Sequence, residues 1–548
     1  MADVTRPAGI AKQILLVAQL RWRLLHNNLR RKQNRLDLLG LIIIGVLAGA
    51  VVIGVSIALF VGAYDFVSTD KIGWLSLFFW AIFLWWQLFP IMAAGFGASF
   101  EFRGLLRFPL RLGAFYLIGL AYGLADFSGV AGTVWLLSIV TGTVSARPAL
   151  LFPMLVVAAL FLLFNVTLER LVGSWLERLL ARRRTREFFF AGFILLMVSL
   201  QLLGPLMSRY GNSAVPLIER LLPYFAPLPP TLAGGAIAAA AAGKTGTLGF
   251  GVAGLCLYVL ALSGLLWLRF AAQYRGEELS ETPRASRPAA RASSAREMKT
   301  DALRLLSPQV AAVVRKEVRY LTRNGFAALL LFVPPILVFA LISQATVLAG
   351  FKKGIPAEAF FPGLVAYIIL ILMAPAYNSF AYENTGIQTY FTAPVAFRDV
   401  LLGKNAVHVS LIAVELALCI AAFSYRVGLP SPPVFVATLV AIVFTVVGQL
   451  SIANWSSLSF PRKLAFGQVH GQRQSGMAVL TAFGAQLLLF SICSLILMLG
   501  RWTGDHWLPA KTFALLAAAA AGGYFASLDA LTGYAEKKKE KLIEALCR

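Results

Sequence analysis

Long uninterrupted runs of apolar residues alternate with short polar connections along most of the chain. The run at 41–63 (LIIIGVLAGAVVIGVSIALFVGA) carries no charge, and as a helix it is long enough to cross the roughly 30 Å hydrocarbon core of a bilayer. About twelve such runs occur when about 20 residues are counted for each crossing. The pattern predicts an all-α polytopic membrane protein. The predicted spans are 37–63, 72–98, 112–140, 149–177, 188–208, 246–270, 325–349, 358–381, 401–428, 432–456, 476–500 and 510–533.

The composition fits a membrane protein better than a soluble one. The chain has 548 residues, of which 59% are hydrophobic and 14% are charged, whereas a soluble domain averages about 25% charged residues. Residues 1–36 are basic and amphipathic, and they lack the short apolar core and the A-x-A cleavage site of a signal peptide. We therefore expect a multi-pass protein of the bacterial cytoplasmic (inner) membrane.

The formal net charge of +24 is unevenly distributed. Arginine and lysine concentrate at both ends and on alternate connections, while the opposite connections are poor in them. This positive-inside pattern places both termini in the cytoplasm, and it relates the charge to topology and membrane lipids rather than to nucleic acid. The basic segments are 1–36, 107–111, 181–187, 269–323, 461–463 and 536–541.

The cysteine and histidine patterns give no support for a metal or redox site. The four cysteines are widely separated, without a C-x-x-C motif, and no two of the four histidines stand four residues apart. We therefore expect no cofactor to be bound directly by this chain.

A linker divides the chain into two similar halves. Residues 272–304 are rich in Ala, Ser, Pro and charge, which is typical of a flexible cytoplasmic connection. The segments 37–271 and 325–534 each contain six predicted spans, and 535–548 is predicted as a basic cytoplasmic tail. The same residues recur in the same order in both halves, which indicates a parallel, pseudo-twofold duplication. The matched pairs are Arg23 and Arg319, Leu25 and Leu321, Asn28 and Asn324, Glu101 and Glu383, Gly104 and Gly386, Pro109 and Pro394, Gly119 and Gly403, Trp175 and Trp455, and Arg182 and Arg462.

An amphipathic segment precedes each half, at 1–36 and 305–324. Apolar residues share one face and basic residues occupy the others, so each segment is predicted to lie as a helix in the cytoplasmic membrane interface. Two interpretations fit these helices: a membrane anchor, or a lever that also touches a cytoplasmic partner. The residues singled out in them are Trp22, Arg23, Lys316 and Arg319.

A Glu-x-x-Gly sequence follows the second predicted span of each half, at 101–104 and 383–386. A carboxylate, a short polar helix and then a proline predict a compact cytoplasmic turn. One interpretation is purely structural, with each glutamate capping a helix or pairing with Arg103 or Arg398. We favour a coupling role, because the sequence occurs once in each half at the same topological place.

Few charged residues lie inside the predicted spans. Asp126 in the third span and Glu415 in the ninth are the clearest, His408 lies near Glu415, and Asn378 is a weaker candidate near a span end. Ionisable groups within a membrane usually face a cavity or a partner. Helix packing is the favoured interpretation, and a substrate cavity, gate or proton site is the alternative.

The segment at 212–244 is too interrupted by proline to span the membrane and too apolar for a free loop. It therefore predicts helices that enter the outer leaflet and return. Its end overlaps Gly-Lys-Thr at 243–245, which resembles the end of a phosphate-binding loop. However, Ala238 occupies the place of that motif's first glycine, no strand is predicted before it, and Lys244 falls on the outer side. We interpret this run as a packed helix that ends in a glycine cap.

Three stretches carry a resemblance to a known family: VRKEVRYLTRN (314–324), YNSFAYENTGIQTYFTAPVAFRDVLLGKN (377–405) and NWSSLSFPRKLAFG (454–467). They resemble the permeases of type-2 ATP-binding-cassette (ABC) transporters, and the repeat extends the resemblance to the first half. The resemblance implies an exporter fold in which one fused chain forms the whole pore. It also implies two copies of a cytoplasmic ABC ATPase subunit, which bind ATP and Mg and dock on 101–109 and 383–394. The implied coupling positions are Glu101, Arg103, Gly104, Pro109, Glu383, Asn384, Gly386 and Pro394.

An ion-coupled secondary transporter is the main alternative, with Asp126, His408 or Glu415 as the relay. The duplicated cytoplasmic segments argue against it, because an ion-coupled carrier needs no docking surface. A membrane-embedded enzyme would need clustered acids, histidines or a metal motif at one membrane face, and the sequence shows none. We therefore expect transport rather than catalysis, with ATP hydrolysed only by a separate subunit.

Overall fold

The computed structural model describes residues 9–30, 35–94, 108–181, 223–275, 306–323, 357–381, 383–461 and 476–547, together with the isolated positions 192, 195, 196, 199, 338, 342 and 463. Within these residues the secondary structure is helical and contains no strand. Ten of the described helices are long and apolar enough to cross a membrane, which confirms a polytopic all-α membrane protein. Two predicted spans, 188–208 and 325–349, lie almost entirely outside the described residues.

The chain divides into two compact units. The first consists mainly of 1–182 and 215–295, and the second mainly of 296–466 and 474–548. The boundary between 295 and 296 falls inside the linker predicted at 272–304.

The first unit is built from eight described helices around a core that is rich in aromatic residues. Phe79, Trp86 and Phe161 are fully buried in this core. Helix α2 packs against α5, and α6 packs against both α7 and α8. The helices are α1 (Ile10–Arg30), α2 (Arg35–Ser68), α3 (Leu75–Ala94), α4 (Leu112–Ala125), α5 (Phe127–Ala146), α6 (Leu151–Ala181), α7 (Pro229–Ala241) and α8 (Thr245–Tyr274).

The third span, predicted as one helix at 112–140, is instead broken at Asp126. Asp126 is extended, with φ −69° and ψ 155°, so α4 ends before it and α5 starts after it. Glycines make the sharp turn feasible, because a Cβ on Gly129 would lie 2.0 Å from the carbonyl oxygen of Gly123. With 14 residues, α4 is only about 21 Å long and cannot cross the membrane alone.

Helix α7 lies within the segment predicted to re-enter the membrane, and its 13 residues extend over only about 20 Å. It packs closely on the first turn of α3, where a Cβ on Gly234 would lie 2.6 Å from the Ser76 backbone. Gly243 ends the helix with φ +70°, and the Lys244 N–H donates to the Ala239 carbonyl at 2.9 Å. This is the glycine cap that the sequence predicts. Gly243 and Lys244 thus form a turn between two helices, and Thr245 begins α8.

The second unit also has eight described helices. Phe361, Phe380 and Phe423 are fully buried in its core. A 3₁₀ turn (Ala374–Asn378) extends α10, and a second 3₁₀ turn (Asn384–Gln388) leads into α11. The helices are α9 (Pro308–Arg323), α10 (Ala357–Met373), α11 (Thr389–Thr392), α12 (Phe397–Val427), α13 (Pro432–Ser459), α14 (Gly476–Thr503), α15 (Leu508–Lys537) and α16 (Lys539–Cys547).

The two units share an internal packing pattern. In each, the amphipathic helix packs against the helix that starts the third span: α1 against α4 in the first unit, and α9 against α12 in the second. In each, the helix of the fourth span packs against the helix of the sixth: α6 against α8, and α13 against α15. This shared pattern supports the interpretation of the halves as copies.

The C-terminal segment, predicted at 535–548 as a basic tail, is helical over most of its length. Helix α15 extends to Lys537, and α16 follows after a turn at Lys538. Leu542 and Leu546 of α16 are 1% and 0% exposed and belong to the core of the second unit. They are four residues apart and so share one face of the helix.

Candidate functional site

The 383–394 segment forms a series of tight turns between α10 and α12. The Glu383 N–H donates to the Phe380 carbonyl at 3.1 Å, and the Gly386 N–H donates to the Glu383 carbonyl at 2.8 Å. Asn384 has φ +47°, a left-handed conformation that asparagine tolerates better than most residues. Pro394 then precedes α12. The compact turn that the sequence predicts after the second span of this half is present.

Glu383 is buried within this turn, with only 5% of its side chain exposed. Its Oε1 accepts a hydrogen bond from the Tyr390 hydroxyl at 3.0 Å and lies 2.5 Å from the Lys404 Nζ. Its Oε2 is paired with Lys316. Both carboxylate oxygens are therefore bonded inside the protein.

Lys404 lies in the first turns of α12, and 4% of its side chain is exposed. Its ammonium lies 2.7 Å from Glu317 Oε1 and 2.5 Å from Glu383 Oε1, and it donates to the Ser379 carbonyl at 3.1 Å. It also lies 5.2 Å from the ring centroid of Phe380. Because an ammonium group has three donors, these three acceptors satisfy it completely.

Lys316 brings α9 into the same group. It pairs with Glu383 and donates to the Tyr390 hydroxyl at 2.7 Å, with Glu317 3.3 Å away. Its Nζ also lies 5.0 Å from the centroid of the Tyr390 ring. We call Lys316, Glu317, Glu383, Tyr390 and Lys404 the lysine–glutamate cluster. Its two lysines and two glutamates balance in charge. This balance matters most for Glu383 and Lys404, which are buried, whereas 44% of the Lys316 side chain is exposed.

The cluster fixes the protonation of its members. Burial raises the pKa of Glu383, but the neighbouring charges of Lys404 and Lys316, with their hydrogen bonds, more than offset this and lower it to about 2. Burial and the Glu383 charge both raise the pKa of Tyr390 above its ordinary range. At neutral pH Glu383 is thus a carboxylate and Tyr390 a neutral donor.

Helix α16 lies against the same segment. The Gln388 Nε2 is 3.8 Å from the Cys547 Sγ, and that sulfur is 3.8 Å from the Asn384 carbonyl oxygen. Thr385, Gln388 and Thr389 remain exposed. The surface at this place therefore consists of uncharged polar side chains held in position from beneath and from one side.

The other predicted coupling positions are either loosely packed or exposed, or they lie outside the described residues. Gly386 is not needed for close packing, since the nearest atom to an added Cβ is Glu383 Oε2 at 3.7 Å. Pro109 and Pro394 are both exposed and precede α4 and α12. The predicted positions that lie outside the described residues are Glu101, Arg103 and Gly104.

The amphipathic helices differ in what their predicted residues do. In α1, Trp22 is 68% exposed and Arg23 is also exposed, as expected for an interfacial helix. In α9, Arg319 is exposed, while Lys316 reaches the cluster. Helix α9 thus joins the 383–394 segment through Lys316, while residues 101–107, the matching part of the first half, lie outside the described residues.

The structural alternative proposed for Glu383, a pair with Arg398, is wrong. Arg398 instead lies 3.0 Å from Asp529 of α15, and both side chains are substantially exposed. Glu383 is paired, but its partners are the lysines of two other helices.

Of the intramembrane candidates, Asp126 has a clear packing role. It pairs with Arg170 of α6 at the break between α4 and α5. The adjacent Glu169 accepts a hydrogen bond from the Trp86 indole at 2.9 Å. These contacts bind the break at Asp126 to α6, and α6 in turn to α3.

The remaining candidates lie in the second unit. His408 and Glu415 are two turns apart on the inner face of α12, and Asn378 is partly buried at the end of the 3₁₀ turn after α10. Glu415 is 0% exposed, and neither of its carboxylate oxygens has a hydrogen-bond partner. No described hydrogen bond or ion pair therefore accounts for the burial of this carboxyl group.

Sequence reasoning missed Lys404, Glu317 and Tyr390. A signal was present for Lys404, because it is a cation close to the start of an apolar run, and such a charge requires a partner. No signal pointed to Tyr390, whose role depends on how the turn folds.

No group of three or more metal-binding side chains occurs in the described part of the chain. No protein-family model matches the sequence, and no curated protein or solved structure matches it either.

Proposed function

We propose that the chain is the membrane permease of an ATP-driven ABC exporter, in which one fused chain forms the pore and separate ATPase subunits hydrolyse ATP. The observation that carries this proposal is the 383–394 segment. It is a short polar element between two spans, its Glu383 is buried and doubly ion-paired, and its exposed residues are suited to contact another protein. A loop that only connects two spans does not require a buried, doubly ion-paired glutamate.

The lysine–glutamate cluster connects the 383–394 segment to a membrane-spanning helix, so that movement of the segment can be transmitted to it. A displacement of the 383–394 segment acts on Glu383, which is bonded to Lys316 of α9 and Lys404 of α12. Helix α12 is a predicted span, so movement at its cytoplasmic end changes its packing within the membrane. In the proposed mechanism, ATP closes the nucleotide-binding subunits, the segment moves with them, and the substrate cavity opens to the other side.

The proposal is tested by placing a charge on the exposed surface. The chain is purified from its host membranes in mild detergent, and Mg-dependent ATP hydrolysis and co-purifying proteins are measured. We expect an ATPase subunit with a phosphate-binding loop. An arginine at position 389 should disturb the contact with the ATPase subunit and cost about 1.4 kcal/mol of binding free energy, which lowers the affinity about tenfold. We therefore expect the Thr389→Arg variant to co-purify with about tenfold less ATPase activity.

Thr503→Arg is the matched control, because Thr503 is also exposed but lies at the end of α14 that the predicted topology places outside. We expect it to retain the ATPase activity of the unmodified chain. Absence of any ATPase from the unmodified chain, or equal losses in both variants, would refute the docking role of this surface.

Glu415 supports a second candidate function, an ion-coupled secondary transporter. A fully buried carboxyl group without a hydrogen-bond partner in a membrane span is suited to binding and releasing a proton. For this function, liposomes containing the chain alone would show proton flux driven by an imposed pH gradient, and Glu415→Gln would abolish it. The exporter proposal expects no flux without the ATPase.

A further inference from the structure

Three buried side chains of the second unit have hydrogen-bonding atoms that no described residue satisfies. These atoms are the hydroxyl of Tyr377, both amide atoms of Gln449 and the Nε2 of Gln486. The three residues are only 2%, 0% and 4% exposed. A buried polar group without a partner costs about 1–3 kcal/mol, and native proteins keep few such groups. Three such residues in one unit therefore point to a bound molecule that supplies the missing hydrogen bonds.

Helix packing places the three residues close to one another. An added Cβ on Gly448 of α13 would lie 3.7 Å from the Leu489 side chain of α14. Gln449 directly follows Gly448. Gln486 lies about one turn before Leu489, so the two glutamines occupy neighbouring levels of the unit. The 3₁₀ turn after α10 carries Tyr377 and packs against both helices. We call Tyr377, Gln449 and Gln486 the polar layer.

Both glutamines also face the junction of α10, α13 and α14. A small cavity of about 40 Å³ at this junction has Ile369 of α10, Thr445 of α13 and Phe490 of α14 in its wall. Gln449 is four residues after Thr445 and so shares its face of α13. Gln486 is four residues before Phe490 and shares its face of α14 in the same way. The polar layer thus continues the wall of this cavity.

The polar layer lies deep within the predicted spans. Gln449 is ten residues before the end of α13 at Ser459, and Gln486 is ten residues after the start of α14 at Gly476. At 1.5 Å per residue, both lie about 15 Å from these helix ends, whereas the hydrocarbon core is roughly 30 Å thick. Lipid chains offer no hydrogen bonds at this depth, so a polar group there needs a partner from the protein or from a bound molecule.

An apolar groove adjoins the polar layer, and Gln486 belongs to both. The groove has a volume of about 480 Å³, and it follows α14 from Phe483 to Leu495 with Leu370 of α10 in its wall. None of the eight described residues that line it is charged. A mostly apolar surface of this size beside a few hydrogen-bonding groups is typical of a site for a small molecule.

We propose that the polar layer and the groove bind an amphiphile whose polar group is uncharged, such as a hydroxyl, ester or amide. Gln449 donates to this group and accepts from it, Gln486 donates to it, and the apolar body lies in the groove. A charged group would lose its hydration without gaining a charged partner among the described lining residues. The inference rests on the proposed function only where it makes this amphiphile the transported cargo.

Binding is measured by photolabelling of the full chain in nanodiscs. The probe is monolauroylglycerol that carries a diazirine in its chain, and labelled peptides are identified by mass spectrometry. We expect labelling within 483–495 that unmodified monolauroylglycerol suppresses. Amphiphiles with the same alkyl chain but a trimethylammonium or a sulfonate group should compete about tenfold less well or worse, because their charge is not matched in the site.

The decisive variant is Gln449→Leu with Gln486→Leu. Leucine is similar in size to glutamine and removes buried groups that have no partner, so the melting temperature should stay the same or rise. Binding of monolauroylglycerol should fall about tenfold or more, since the site loses its hydrogen bonds to the ligand. Thr438→Val is the matched control. Thr438 is also buried in α13, but its hydroxyl already donates to the Val434 carbonyl at 2.7 Å, so binding should not change.

Three results would overturn the inference. Equal competition by the three amphiphiles would make the groove an unselective lipid surface, unchanged binding in the double variant would exclude the glutamines, and a lower melting temperature in that variant would show that they stabilise the fold. Transport is assayed separately, as stimulation of the bound ATPase by monolauroylglycerol. Selective binding by a chain that has no ATPase contradicts the proposed function alone, and an active ATPase complex that does not bind the probe contradicts this site alone.

Discussion

Lys404 carries a positive charge at a position that water scarcely reaches. Its stability there depends on Glu317 and Glu383, and Glu383 depends in turn on Lys316. A buried pair of this kind contributes little net stability compared with apolar packing, but removing one partner costs about 3–5 kcal/mol, because the other charge is left uncompensated. The cluster is therefore best understood as a device that fixes geometry.

The pH dependence of stability follows from Glu383. Its pKa is about 2 in the folded protein against an ordinary 4.5, so its ionised form stabilises the fold above pH 4.5. This contribution falls as the pH drops from 4.5 towards 2 and is absent below that. The melting temperature of the unmodified chain should therefore exceed that of Glu383→Gln by a constant amount between pH 5 and pH 8, and the difference should shrink below pH 4.5.

Thermal unfolding followed by intrinsic fluorescence in detergent provides the measurement. Salt is a useful second variable, since the buried pair of Glu383 and Lys404 is screened much less than exposed pairs such as Arg398 and Asp529. A difference between the two proteins that persists undiminished at pH 3 would contradict the assignment of Glu383 as the titrating group.

At the scale of elements, α16 has the clearest structural consequence. Its apolar residues complete the core beside the 383–394 segment, and its last turn touches Asn384 and Gln388. Such a short helix has little stability of its own and depends on the packing of its apolar face.

Leu546→Asp should release α16 from the core, because a carboxylate cannot be buried without a partner. Hydrogen exchange at 384–392 is then expected to accelerate about tenfold or more, which corresponds to a loss of roughly 1.4 kcal/mol in local stability. Ala545→Asp is the matched control, since Ala545 is the neighbouring residue and is exposed. Equal exchange in both variants would show that α16 does not support the segment.

The elements differ in how far the sequence could predict them. Apolar runs gave the long helices to within a few residues, because the hydrocarbon thickness sets their length. The break at Asp126 was not predicted, since it depends on Gly123 and Gly129 meeting across the turn and on Arg170 from another helix. The helix α16 was not predicted, because Leu542 and Leu546 are only two apolar residues at helical spacing within a highly charged segment.

At the scale of the whole molecule, the described residues establish a multi-pass helical membrane protein, and the topology remains a prediction. The charge distribution predicts that the 383–394 segment is cytoplasmic and that the turn at 504–507 is outside. The candidate site was only half predictable. Glu383 and Lys316 were singled out in separate motifs, but their contact requires the chain to fold back between α9 and α12.

Topology is checked with cysteines that react with a membrane-impermeant maleimide. In a background without the native cysteines, Gln388→Cys should react only in inverted vesicles or permeabilised cells. Thr503→Cys should react in intact spheroplasts. The reverse pattern would place the candidate site on the side of the membrane that lacks ATP and would rule out the exporter proposal.

The continuity of α12 has a mechanical consequence. With 31 unbroken residues it is a rod about 46 Å long, so a push on the end that carries Phe397 displaces the other end by a similar amount. The matching part of the first half is jointed at Asp126, where α4 and α5 meet at an extended residue, so a load on α4 is absorbed as bending at that joint. The third span of the second half is therefore stiff along its length, whereas the third span of the first half can bend at Asp126.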